Sequence, residues 1–194
     1  CADADLLLIV DEVFADYAGP TFTSARAARH ATTAVLGGLS KARGLPQAKL
    51  AWIARARPPP ARRALRDRLE VVADAFLSVT PAIQHAAPAV LAATVPRTDH
   101  LRARLAATRA ALAAIAPLVP SDGGWAALVP IDPDGRDRRD EDQVARALLA
   151  AGVITQPGWL FDVPGDHLVL SLLTPPAALA RATPALRAVL ASSG

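Results

Sequence analysis

Ser40-Lys41-Ala42-Arg43-Gly44-Leu45-Pro46-Gln47-Ala48-Lys49-Leu50-Ala51-Trp52 holds both lysines of this 194-residue chain, although Lys and Arg together number 21. Everywhere else that a cation is wanted, the chain uses Arg. The two residues are interchangeable on most solvated surfaces. They are not interchangeable where a primary amine must lose its proton and attack a carbonyl. A lysine that persists in an Arg-biased chain is therefore a candidate for chemistry. The stretch is also a structural junction. The apolar run Ala34 to Leu39 leads into it, Gly44-Leu45-Pro46 turns the chain, and Leu50 to Arg55 begins a second apolar run.

Working upstream, Leu6-Leu7-Leu8-Ile9-Val10 is another short apolar run. It has no alternation and predicts a strand buried on both faces of a parallel sheet. Such a strand needs neighbours on both sides, and no preceding sequence supplies them. The expectation is the C-terminal part of something longer. Gly19-Pro20 closes the run, and Ser24 to His30 fits a short surface helix before the next strand. Short apolar strands layered with helices are the texture of an α/β sheet.

Downstream, Pro58-Pro59-Pro60 is a stiff break. A helix over Ala61 to Ser78 follows, with Leu65, Leu69, Val72 and Phe76 on one stripe. Further helices are expected over Pro81 to Ala93 and from about Thr98 to Ala116. Then the period changes. Trp125 to Val129, Val153 to Gln156 and His167 to Leu173 read as strands. Glu141 to Ala151 is a helix stopped by Gly152, and Pro176 to Ser192 is a terminal helix. The expected division is residues 1–60 as the C-terminal part of an α/β domain. Residues 61–194 are then bridging helices and a small α+β domain with an antiparallel sheet.

Composition narrows the function classes. Hydrophobic residues make up 52% of the chain, which calls for a packed body. No apolar run has membrane-spanning length, and the start carries Asp3 and Asp5 rather than a basic leader. The single cysteine, Cys1, has no partner for an internal disulfide. Together these lead to an expected cytoplasmic location. The net charge of +3 comes with Arg-rich patches at Arg55 to Arg68 and Arg97 to Arg109. Those patches lack interleaved aromatics and are diluted by Asp67, Glu70 and Asp99, so they read as wet helix faces rather than a nucleic-acid surface. His30, His85, His100 and His167 lack metal-ligand spacing. No Gly-x-Ser-x-Gly and no phosphate-binding loop of the Gly-Lys-Ser/Thr type occurs.

Two stretches then line up in order: Asp11-Glu12-Val13-Phe14 after the first strand, and Ser40 to Trp52 after the second. Together they resemble the pyridoxal-phosphate-dependent aminotransferases of class I/II. In that family a strand ends in Asp-Glu-Val-Tyr, and a later stretch runs Ser-Lys-x-x-Gly-Leu-Pro-Gly-x-Arg-x-Gly-Trp. The resemblance continues through Leu77 to Gln84 and through Gln156-Pro157-Gly158. It covers essentially the whole chain, but only the C-terminal half or so of the family's pattern. Residues 1–60 would then belong to the cofactor-binding domain. The cofactor implied is pyridoxal 5′-phosphate, the substrates an amino acid and a 2-oxo acid, and the assembly a homodimer.

The resemblance implies roles residue by residue. Lys41 would form the Schiff base with the cofactor aldehyde and then shuttle the proton at the substrate's α-carbon, which needs an amine that can become neutral. Asp11 would face the pyridine nitrogen and hold it protonated. Ser40 and Lys49 would bind the phosphate, with Lys49 standing where the family often has Arg. Simpler readings stand beside these. Asp11 at a strand end can cap the following turn, Lys49 can be a solvated strand-edge residue, and Trp52 reads more readily as core than as a ring that stacks on cofactor.

Three departures matter. Phe14 stands where the family has a Tyr whose phenol serves the cofactor's ring oxygen; Tyr17 is the nearest phenol. Val169 stands about where many members carry a carboxylate-clamping Arg. The family's glycine-rich phosphate cradle, ring-stacking aromatic and ring-oxygen Asn belong to an N-terminal part with no counterpart here. These departures keep two alternatives open: a non-catalytic, cofactor-binding aminotransferase-like domain of a transcription regulator, and an inactive truncated remnant.

Overall fold

The computed structural model describes residues 1–4, 6–28, 30–56, 59–76, 78–131 and 139–191. Asp5, Arg57, Pro58, Leu77 and Ser192, which enter the sequence reading above, lie outside the described residues. The chain separates into two compact units, Cys1–Asp99 and His100–Gly194.

The first unit is built on a three-stranded sheet ordered β1-β2-β3. Strand β1 is Leu8–Asp11, β2 is Thr33–Gly38 and β3 is Ala51–Ala56. β1 and β2 run parallel, while β3 returns antiparallel to β2. A four-residue helix α1, Leu39–Ala42, follows β2 directly. Helices α2, Pro59–Ala75, and α3, Pro81–Ala93, come after the sheet. Proline suits both starts, because the first helical N–H has no intrahelical acceptor and needs none. The expected strand buried on both faces is corrected. β1 alternates, with Ile9 61% exposed, because it sits at the edge of this sheet and pairs only with β2 among the described residues. The expected surface helix over Ser24 to His30 is one 3-10 turn, Ala25–Ala27. Its start is fixed by Glu12, which accepts from Ser24 Oγ and the Ala25 amide, both at 2.6 Å.

Helix α4, Val95–Ala113, leads into the second unit. That unit holds a second sheet, ordered β4-β6-β5 and antiparallel throughout. Its strands are β4, Ala126–Pro130, β5, Gln156–Pro157, and β6, His167–Ser171. Helix α5, Glu141–Ala150, and helix α6, Pro176–Ala191, complete it. α5 opens on a capping box: Asp140 accepts the Gln143 amide at 2.8 Å, and Gln143 accepts the Asp140 amide at 3.1 Å. It closes with Gly152 at φ 80°, the Gly152 amide on the Leu149 carbonyl and the Val153 amide on the Leu148 carbonyl. This closure absorbs the amides of Gly152 and Val153, so the strand expected over Val153 to Gln156 shrinks to Gln156–Pro157. Val129, Val144, Leu148, Leu168 and Leu172 are almost fully buried and form the core between sheet and helices. The class is therefore α/β, a partial mixed sheet with its helices followed by a small α+β unit.

Candidate functional site

The register of the first sheet gathers the candidate residues at one end. Asp11 is the last residue of β1 and pairs with Leu36 of the parallel strand β2. Two residues later β2 ends at Gly38, opposite Ala51 of β3. Ser40 and Lys41 follow Gly38 on α1, and Lys49 precedes Ala51 by two residues. The carboxyl ends of two parallel strands and the entry to the antiparallel one therefore carry Asp11, Ser40, Lys41 and Lys49 together. In open α/β sheets ligands bind beyond the carboxyl ends of the strands.

Helix periodicity decides how α1 presents its side chains. Leu39 and Ala42, three apart, are buried, which leaves Ser40 half-buried and Lys41 exposed. Lys41 Nζ lies over the Phe14 ring, 5.9 Å from its centroid. Asp11 is exposed, and its Oδ1 accepts the Val13 amide at 3.0 Å. The turn-capping use of Asp11 is thus present, and its Oδ2 takes no hydrogen bond among the described residues. Lys49 closes the 3-10 turn Pro46–Ala48 in the left-handed conformation, at φ 50° and ψ 35°. That conformation costs a residue with a Cβ about 1–2 kcal/mol. A Lys where Gly would be easier is a strained residue at the mouth of a site, the usual place for such strain.

The donor set fits pyridoxal 5′-phosphate in kind: a primary amine for an aldehyde, a carboxylate for a pyridinium, a hydroxyl and an ammonium for a phosphate. Phe14 adds an aromatic face beside the amine but no hydroxyl. Trp52, expected in the core, is 38% exposed. Its indole lies against Gly37, directly opposite in the register, where an added Cβ would stand 2.4 Å from Trp52 Nε1.

The sequence reading missed what holds α1. The Tyr17 hydroxyl donates to the Lys41 carbonyl at 3.0 Å and stands 3.3 Å from that of Ala42. The nearest phenol to Phe14 is thus directed into backbone. Arg43 pairs with Asp16 and also donates to the Ala42 carbonyl. Arg97 donates to the carbonyls of Arg43 and Gly44, and Thr98 to that of Ala42. The available signal was that Tyr17 is the one tyrosine in the chain, close behind the first motif.

In the second unit, Val169 is 8% exposed and pairs with Leu128 and Gln156. A packed aliphatic side chain thus stands where the resemblance leads one to expect a clamping Arg. Among the described residues, no three His, Cys, Asp or Glu side chains cluster to hold a metal, and no helix is long and apolar enough to cross a membrane.

The family model for aminotransferase class I and II matches residues 1–183. The chain belongs to that family. Solved aminotransferases share its fold. Alanine aminotransferase from Pyrococcus furiosus superposes with a TM-score of 0.81 at 16% identity, covering 97% of this chain and 50% of its own. Aspartate aminotransferase from Thermotoga maritima gives 0.76 at 18% identity, covering 98% and 49%. N-succinyldiaminopimelate aminotransferase from Mycobacterium tuberculosis gives 0.73 at 22% identity, covering 97% and 51%. The chain spans about half the length of these class I and II aminotransferases. No curated protein matches it.

Proposed function

We propose that the intact protein is a pyridoxal-phosphate-dependent aminotransferase, moving an amino group between an amino acid and a 2-oxo acid, and that this chain carries its lysine. The observation that carries the reading is the shared sheet end, where Asp11 and the Lys41 helix follow adjacent parallel strands. Residues 1–60 are assigned to the cofactor-binding domain, and 61–194 to bridging helices and the small domain. A cytoplasmic homodimer is the expected working form.

Bound pyridoxal phosphate supplies an electron sink through its protonated ring. The residues of this chain do the rest. Lys41 Nζ would hold the cofactor through its aldehyde, with loss of water, and once freed would take the proton from the substrate's α-carbon and return it. The exposure of Lys41 suits an amine that must meet both cofactor and substrate. The Asp11 carboxylate, whose Oδ1 accepts the Val13 amide, would hold the proton on the pyridine nitrogen. Ser40 Oγ and Lys49 Nζ bind and orient the phosphate, the first by a directional hydrogen bond and the second by point charge. Phe14 packs beside the Lys41 amine and contributes no proton.

Phe14 and Val169 favour one second reading, a sensor domain that binds the cofactor without turnover. The test is an absorbance spectrum of the intact protein with added pyridoxal phosphate, then borohydride reduction and peptide mapping. An adduct on Lys41, absent from Lys41→Arg, supports the proposal. An adduct elsewhere, or none, rejects it. Adduct without amino transfer to any 2-oxo acid points to the sensor.

A further inference from the structure

A helix of four residues cannot hold itself. Its first hydrogen-bonded turn fixes several residues for one bond, and its last carbonyls have no partner along the helix. α1 makes up both deficits with side chains from elsewhere in its unit. The carbonyls of Lys41, Ala42, Arg43 and Gly44 all receive side-chain donors, from Tyr17, Arg43, Thr98 and Arg97. Of these four donors, Tyr17 is the one directed at the carbonyl of Lys41 itself. Tyr17 is 9% exposed, so its hydroxyl is carried on a packed side chain. One O–H has one proton, and the shorter contact, 3.0 Å against 3.3 Å, assigns it to Lys41. The Lys41 carbonyl has two lone pairs and also accepts the Gly44 amide at 3.2 Å. The preceding residue, Asp16, pairs with Arg43, so two neighbours on the 3-10 turn Ala15–Tyr17 hold α1 at Lys41 and the residue that follows it at Arg43.

We propose that Tyr17 is the positioning residue for Lys41: its phenol fixes the peptide unit from which the reactive amine projects. The role rests on the proposed function, since it matters only if Lys41 is the reacting amine. Small misplacement of a reacting group is costly out of proportion to the energy of the contact that holds it. Thr98 is the internal control. It also donates from a buried position into α1, at 3.2 Å, but to Ala42.

The test compares Tyr17→Phe and Thr98→Val in the intact protein. Both keep side-chain shape and lose one hydroxyl. The first readout is amide hydrogen exchange without cofactor. Tyr17→Phe is expected to speed exchange at Arg43, Gly44 and Leu45 by about fivefold, the factor that a typical net hydrogen bond corresponds to. The second is the rate of borohydride-trapped addition of pyridoxal phosphate to Lys41. Tyr17→Phe is expected to lower it about fivefold or more, and Thr98→Val to leave it within about twofold at similar loss of melting temperature. An unchanged trapping rate in Tyr17→Phe, or an equal loss in Thr98→Val, overturns the positioning role. If the unaltered protein forms no adduct on Lys41, the proposed function fails instead. The exchange readout still decides whether Tyr17 holds the turn.

Discussion

The two sheets of this chain are covered to different degrees. In the second unit β6 is the central strand, and Leu168, Val169 and Leu170 are all buried. In the first unit β2 is central and buried, but Ile9 on β1 and Trp52 and Ile53 on β3 are exposed. Beyond β3, an open apolar trough of about 740 Å³ runs between Leu50, Trp52, Val72 and Phe76, with Phe76 81% exposed. The second unit closes its core with its own helices. The first unit carries Asp11, Ser40, Lys41 and Lys49 at one end of a sheet whose outer strands the described residues leave open. The lesson is that a site scaffold and a self-contained core are separate achievements of one chain. In the first unit the helix that carries Lys41 is held by side-chain hydrogen bonds into its backbone as well as by the buried Leu39 and Ala42.

The largest expected effect lies at Lys41. Lys41→Arg keeps the charge, so stability should stay within about 0.5 kcal/mol of the unaltered protein. Amino transfer should fall by at least roughly 10²–10⁴-fold, because guanidinium cannot serve as the proton carrier. A steady-state assay beside thermal unfolding checks both. Next comes a pair that probes the two sheets directly. Leu168→Ala should cost about 2–5 kcal/mol in denaturant unfolding. Ile9→Ala at the open sheet should cost under about 1 kcal/mol as the described residues stand. An Ile9→Ala cost well above that in the intact protein would show that further residues cover β1, and the contrast between sheets would belong to this stretch alone.

The third effect concerns how the second unit holds its loops. Buried Glu141 accepts the amides of Gly158, Trp159 and His167 at 2.8, 3.0 and 3.1 Å. Glu141→Gln replaces one acceptor oxygen with a donor facing these amides, for an expected loss of about 1–3 kcal/mol. The smallest is at Lys49. Lys49→Gly should relieve the left-handed backbone and change stability by no more than about 1 kcal/mol upward. It should also weaken phosphate binding by about tenfold, read by titration with pyridoxal phosphate. A stabilised protein with unchanged affinity would make Lys49 a turn residue only.

Much of this was legible in the sequence because it is local. Apolar runs bounded by Gly and Pro marked β2 and β3, and Pro81 marked the start of α3. Gly152 marked the end of α5. Lys41 and Lys49 stood out because Lys is rare in this chain. What was not legible depends on closure across sequence distance. The target of the Tyr17 hydroxyl lies 24 residues away and is a backbone carbonyl, which no side-chain pattern encodes. The exposure of Ile9 follows from strand order, and an apolar run is silent about how many neighbours it will have. The Glu141 carboxylate is a buried acceptor for three amides 17 to 26 residues away, which its place at a helix start does not reveal.

The central claim is that the amine at residue 41 and the carboxylate at residue 11 serve one heterocycle from the same end of a sheet. A crystal structure of the intact protein with pyridoxal phosphate tests this most directly. The expected result is density joining Lys41 Nζ to the aldehyde carbon, with an Asp11 oxygen about 2.7–2.9 Å from the ring nitrogen. Cofactor bound with Asp11 engaged only by Val13, or with Lys41 turned into solvent, would contradict it.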